Sequence, residues 1–174
     1  MAEQLEQTNW DLNGSPFAGG LQGGLFFEGA SQREALARLR YVRSSGRVAL
    51  VTGAAGLGKS MLLGTFAKEC RGNRAAVAQL SLQGLNTRDF YGQLDSALGC
   101  SSTQVDDVPQ LYRQLADRLF ENGAQDIPTV VLLDDVHEAG PDVISQLLRL
   151  TKLCGSLAVP PSIVLACQVD GVGR

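Results

Sequence analysis

At 174 residues, with 44% hydrophobic and 19% charged residues, the chain has the size and balance of one globular domain able to bury a sizeable core. A net charge of −3 offers no broad basic face to a phosphate backbone. No run nears the ~18 apolar residues of a membrane span, and the opening MAEQLEQTNW lacks the basic-then-apolar order of a secretory leader, so the expectation is a soluble, cytoplasmic domain.

Residues 1–30 hold a glycine-rich run, GSPFAGGLQGGLFFEGA, with apolar residues but no sustained period. This reads as an extended arm lying across a core that occupies 31–174. Ser31 and Glu34 have the spacing of a capping box, and Ala35, Leu36, Leu39 and Val42 then recur at helical spacing, which predicts a helix over 32–44. Its arginines, with Arg47 beyond them (Arg33, Arg38, Arg40, Arg43, Arg47), read as a solvated face. RVALVTG is a short β-branched run typical of a buried strand, and it leads through glycines into the leucine-rich helical pattern MLLGTFAKEC. AAVAQLSL (75–82) predicts a second strand, followed by a helix near 88–98. Leu111, Leu115 and Leu119 mark a further helix with Pro109 in its first turn. PTVVLLDD is the third strand, Pro141 opens a helix carrying Val143, Ile144, Leu147, Leu148 and Leu150, and PSIVLACQ is the fourth strand.

Strands that alternate with helices need crossover connections, so the pattern predicts a three-layer α/β fold: a parallel sheet with helices on both faces. The last strand is expected to insert between the first and third. The four cysteines, Cys70, Cys100, Cys154 and Cys167, form no C-x-x-C pair, which excludes the common zinc spacings and gives no disulfide framework; they read as reduced and mostly buried.

Residues 53–60, GAAGLGKS, fit G-x-x-x-x-G-K-[ST] without a mismatch and lie between a predicted strand and a predicted helix, the context that makes the motif a phosphate loop. Glycines let the backbone wrap closely around anionic oxygens, and the following helix presents its positive end. The expected ATP cradle is Gly53, Ala54, Ala55, Gly56, Leu57, Gly58, Lys59, Ser60 and Met61. Within it Lys59 is expected to reach the β and γ phosphates, and the Ser60 hydroxyl to coordinate Mg²⁺. A phosphate loop calls for an acid at the end of a later hydrophobic strand, and LLDDVH supplies a pair: Asp134 for the metal and Asp135 to polarise the attacking water. Gln168, ending the last strand, is expected to orient that water or report hydrolysis.

Through GAAGLGKS, LLDDVH and IVLACQ, with FFEGASQREALARL before the loop and an arm bearing Trp10, Leu12, Pro16 and Phe17, the chain resembles an AAA+ P-loop ATPase. More narrowly it is similar to the ExeA-type ATPases of the general secretion pathway protein A family, over nearly its whole length. The resemblance implies an arm over the adenine, self-association into an oligomer in the full-length protein, and secretion or pilus machinery of the bacterial envelope as partner. It makes Asp134 the metal-site acid and Gln168 the sensor, and it implies that lid, arginine finger and any inner-membrane anchor belong to sequence beyond this chain. Two positions depart from the family pattern. Asp135 stands where the relatives carry glutamate, shorter by a methylene or ~1.5 Å, a misplacement able to slow hydrolysis about a hundredfold. His137 stands where they often carry glutamine and reads as a polar neighbour of the site. A DNA-linked AAA+ ATPase of the transposition-helper type and a signalling NTPase remain the alternatives; the residues make no strong case for nucleic acid as partner, and nothing marks the acceptor pocket of a small-molecule kinase.

Overall fold

The computed structural model describes residues 29–100 and 107–169. In chain order these form α1 (Ala30–Ser45), β1 (Val48–Gly53), α2 (Lys59–Gly72), β2 (Ala76–Ser81), α3 (Thr87–Ala97), α4 (Val108–Ala124), β3 (Thr129–Asp134), a short 3₁₀ turn (Val136–Glu138), α5 (Pro141–Ser156) and β4 (Ser162–Gln168). The arm assigned to residues 1–30, with Trp10, Leu12, Pro16 and Phe17, falls almost wholly outside the described residues.

All four strands are parallel, in the order β1-β4-β3-β2, so β4 sits between β1 and β3 as expected. Successive strand side chains point to opposite faces, and β3, buried at every position, divides its residues accordingly. Val130 and Leu132 join Val77, Val164 and Ala166 beneath α1 and α2, where Leu36, Leu39, Leu63 and Phe66 complete one core. Val131 and Leu133 join Ala78, Leu80 and Ile163 beneath α3, α4 and α5, packed with Phe90, Leu115 and Leu150. The result is the expected three-layer α/β arrangement. The uniform apolarity of TVVLLD is the consequence of having a helical layer on each side.

The helix starts correct one expectation. α1 begins at Ala30 with Gly29 as its N-cap and no side-chain cap. Ser31 therefore lies inside the first turn, where its hydroxyl donates to Gln32 Oε1 (3.0 Å) and Glu34 accepts from Arg38 (2.5 Å), so the Ser31/Glu34 capping box is not formed. At its other end Gly46 adopts φ +58° and its N–H bonds Val42; a Cβ there would come within 2.5 Å of the Pro160 carbonyl oxygen, so only glycine lets α1 turn into β1 at this point. The arginine-rich face is partly tied down, because Arg40 grips Glu69 of α2 through three hydrogen bonds of 2.9–3.0 Å. The cysteines are all free; Cys70 and Cys154 are buried, and Cys100 and Cys167 half-buried.

One group in the core opposes folding at neutral pH. Asp95 on α3 is 2% exposed, and among the described residues neither carboxylate oxygen has a donor in good hydrogen-bonding geometry, the Cys100 thiol being only nearby. Burial pushes its pKa up from 3.8 to about 6, the neighbouring Cys100 thiol offsetting only part of that. Because the folded state prefers the protonated form, the stability this carboxyl contributes is present below about pH 4 and is lost as pH rises through 6. The cost to the folded protein at neutral pH is then roughly 2–3 kcal/mol. Replacing Asp95 with asparagine should raise the unfolding free energy by roughly 1–3 kcal/mol at pH 7, an advantage that fades toward pH 4. Urea titrations of both proteins across that range check the sign and the convergence.

Candidate functional site

The site forms at the carboxyl edge of the sheet, where β1 runs through Gly53 into the loop that starts α2. The loop turns on two left-handed glycines, Gly56 (φ +77°) and Gly58 (φ +80°), and a Cβ at either would meet nothing within 4 Å. Gly58 is the N-cap of α2, which has no side-chain cap and no acid in its first turn. The helix opens with a Leu62 N–H to Gly58 carbonyl bond of 2.9 Å. The first amides of α2, from Lys59, Ser60 and Met61, thus have no acceptor earlier in the helix, and the helix dipole adds positive potential where they converge. Lys59 folds back over the loop, its Nζ donating to the Gly53 and Ala54 carbonyls at 2.9 Å each. An ammonium held by two carbonyls of its own loop can exchange them for stronger anionic acceptors. Beside the loop lies a hollow of about 210 Å³ between α1 and β1, walled by Ala35, Val51, Leu57 and Leu62 with Ser31 and Gln32 contributing polar groups.

The paired aspartates separate as soon as the strand ends. Asp134 closes β3 and is 8% exposed; its Oδ1 accepts the Asp135 N–H at 2.9 Å. Asp135 falls outside the strand that its run of apolar neighbours predicts. It takes a left-handed conformation (φ +53°, ψ +40°), which short polar side chains tolerate, and starts the 3₁₀ turn. That reversal, rather than strand alternation, aims the two carboxylates differently. Asp135 Oδ2 accepts from the Ser81 hydroxyl at 2.8 Å, at the end of the adjacent β2. Gln168 ends β4 in register with Gly53, so the strand order brings it to the edge that carries the loop.

The structure therefore gathers Gly53–Met61, Asp134, Asp135 and Gln168 at one edge of one sheet. It adds one residue that motif reading passed over, Ser81, and gives a bonding partner to His137, which was expected as a polar neighbour of the site. Ser81 is a hydroxyl at the end of β2, and its significance depends on β2 lying next to β3. His137 bonds the end of β4 through its ring (Gln168 N–H to Nδ1, 3.2 Å), a contact between residues 31 apart in sequence.

The AAA ATPase domain family matches residues 30–164 of the chain. No curated protein matches it in sequence. Among solved structures it is similar to Cdc6p from Pyrobaculum aerophilum, at 18% identity and a TM-score of 0.65 over 82% of this chain and 40% of that one. It is also similar to a chain of the Drosophila ORC bound to poly(dA/dT) DNA and Cdc6, at 20% identity and a TM-score of 0.61 over 80% of this chain and 25% of that one. A third is the Aeropyrum pernix ORC1 protein in complex with DNA, at 20% identity and a TM-score of 0.59 over 80% of this chain and 39% of that one. At such identities the likeness shows the shared fold, and the chain spans less than half the length of each of these three.

The two kinds of glycine in this region should respond oppositely to the same change. Gly58→Ala forces a methyl-bearing residue to φ +80° and should lower stability by roughly 1–2 kcal/mol even though nothing obstructs the methyl. Gly64→Ala, in the body of α2 with its nearest neighbour at 4.0 Å, should raise it by roughly 0.5–1 kcal/mol. Denaturant midpoints of the two variants against the parent protein test the contrast.

Proposed function

The chain belongs to the AAA ATPase domain family, and from that premise we propose that it binds ATP with magnesium at Gly53–Met61 and hydrolyses it slowly, as the switching module of a larger assembly. The observation that carries this reading is the uncapped start of α2, preceded by left-handed Gly58 and roofed by an ammonium that two loop carbonyls hold. Amides converging with a positive helix end make a receptor for a polyphosphate. The hollow between α1 and β1, apolar with Ser31 and Gln32 contributing polar groups, suits the base.

Ser60 and Asp134 fit magnesium by donor chemistry. Both offer hard oxygen, and two protein ligands suit an ion that keeps several waters and takes its remaining ligands from phosphate. Among the described residues no group of three or more histidine, cysteine or acidic side chains offers a rival metal site. When bound, the ion neutralises charge on the phosphates. Asp135 is then the acceptor of a proton from water, its carboxylate steadied by Ser81, and Gln168 helps align that water. Because aspartate reaches ~1.5 Å less far than glutamate, turnover is slow and the nucleotide state is long-lived.

For the setting, the reading is a cytoplasmic ATPase serving bacterial secretion or pilus assembly as a self-associating full-length protein. It is supported by the ExeA-like combination of GAAGLGKS, LLDDVH and IVLACQ. A second reading, a DNA-linked AAA+ module, is favoured by the fold likeness to chains solved in complexes with DNA, while the net charge of −3 weighs against it. Duplex DNA presented with ATP separates the two: micromolar binding that weakens steeply with salt supports the second reading, and no binding at 50 mM salt removes it.

Calorimetric titration with ATP and magnesium should show binding in the parent protein and none in Lys59→Ala; equal heats would end the proposal. Asp135→Asn keeps an acceptor for Ser81 but not the base, so it should bind ATP normally and hydrolyse it at least about tenfold more slowly. Phosphate release under saturating ATP measures the difference.

A further inference from the structure

Resting on that ATPase reading, we infer that His137 is a positioning residue whose Nδ1 locks the turn carrying Asp135 to the strand end carrying Gln168, so that the two move as one body. The reasoning starts from backbone accounting. β4 is laddered to β1 from Ile163 through Gln168, but its pairing with β3 ends at Leu133↔Leu165. Ala166, Cys167 and Gln168 therefore run on past the ladder with β3, which turns away at left-handed Asp135. The Val169 N–H bonds Gly53 on the β1 side at 3.4 Å, so the Gln168 N–H faces the side that β3 has left. With no strand acceptor on that side, the amide is met instead by the imidazole of His137, at 3.2 Å.

That bond fixes the ring. With Nδ1 accepting, the proton of the neutral imidazole is on Nε2, which lies 3.5 Å from Glu138 Oε1. The reversed ring would set a carbon against the amide. The turn that holds the imidazole is itself closed by Glu138 N–H to the Asp135 carbonyl (2.9 Å) and Ala139 N–H to the Val136 carbonyl (3.2 Å). On the far side, the Gly53 carbonyl that receives Val169 also receives Lys59 Nζ. Hydrogen bonds linked through the Gln168–Val169 peptide thus join the turn that carries Asp135, through His137, to the end of β4 and the first residue of the phosphate loop. Binding of a polyphosphate depends on the loop, whereas alignment of a water needs Asp135 and Gln168 in fixed relation, so His137 acts on turnover and not on affinity.

Two substitutions separate this role from packing. In His137→Asn the amide oxygen falls where Nδ1 was, keeping the acceptor and discarding the ring. In His137→Phe the ring is kept and the acceptor lost. On the whole chain, His137→Phe should lower kcat for ATP about a hundredfold with KM and the calorimetric Kd changed less than about threefold, while His137→Asn stays within about fivefold of the parent kcat. Amide exchange at Gln168 reads the bond directly: slow in the parent and in His137→Asn, fast in His137→Phe. A parent-like kcat in His137→Phe, an asparagine variant as slow as the phenylalanine one, or fast Gln168 exchange in the parent would each overturn the inference. A parent protein that binds ATP in a Lys59-dependent manner but never releases phosphate would instead overturn the hydrolysis reading, and Gln168 exchange would still decide whether the histidine bond exists.

Discussion

The constraint on which the rest depends is the passage from a strand to a helix through a left-handed residue, at β1, whose Val48 and Leu50 are exposed rather than buried as RVALVTG predicts. A side chain at φ +80° is strained, so Gly58 is what lets α2 begin where β1 ends, with its first amides turned inward and no cap to occupy them. An uncapped helix start is ordinarily a defect. Here it leaves open the amides that a cap would satisfy, which are the groups an anion needs. Lys59, whose Nζ donates to two carbonyls of the same loop, adds a further donor and a positive charge beside those amides.

The second left-handed residue does complementary work. Asp134 and Asp135 are adjacent in sequence and so would have to alternate between opposite faces if the strand continued, each toward a helical layer. Left-handed Asp135 ends the strand and keeps both at the sheet edge: Asp134 nearly buried with its oxygen on the next amide, Asp135 turned toward Ser81. Departure of β3 also frees the end of β4, and His137 on the new turn takes up the amide so exposed. One backbone reversal thus accounts for the position of Asp135, the separation of the acids and the bond to Gln168. Away from that edge, Asp95 shows that polar groups fare differently: buried, and with no donor in hydrogen-bonding geometry among the described residues, its carboxyl opposes folding at neutral pH.

Much of this architecture is written in local pattern. Short β-branched runs between helical periods specify parallel strands, because only a sheet covered on both faces needs strands as apolar as TVVLLD. GAAGLGKS specifies a phosphate loop because glycine spacing and a following helix are a local requirement, met within eight residues. The acid pair was equally legible once the loop was known. The capping box was misread because Ser31 and Glu34 have the right spacing but α1 starts a turn's fraction earlier, at Gly29, and helix ends are set by where the chain arrives from as much as by the residues at the start.

What the sequence by itself determined, then, was the set of elements and the chemistry of each: strand, anion loop, acid-ended strand, polar-ended strand. Tertiary structure decided which ends meet. Ser81 and Asp135 are neighbours only because β2 lies beside β3, and His137 reaches Gln168 only because β4 is inserted between β1 and β3 and outruns its partner. Hydrogen bonds between residues tens of positions apart leave no periodicity and no spacing to read; they follow from strand order and from a backbone dihedral, which only the folded chain fixes.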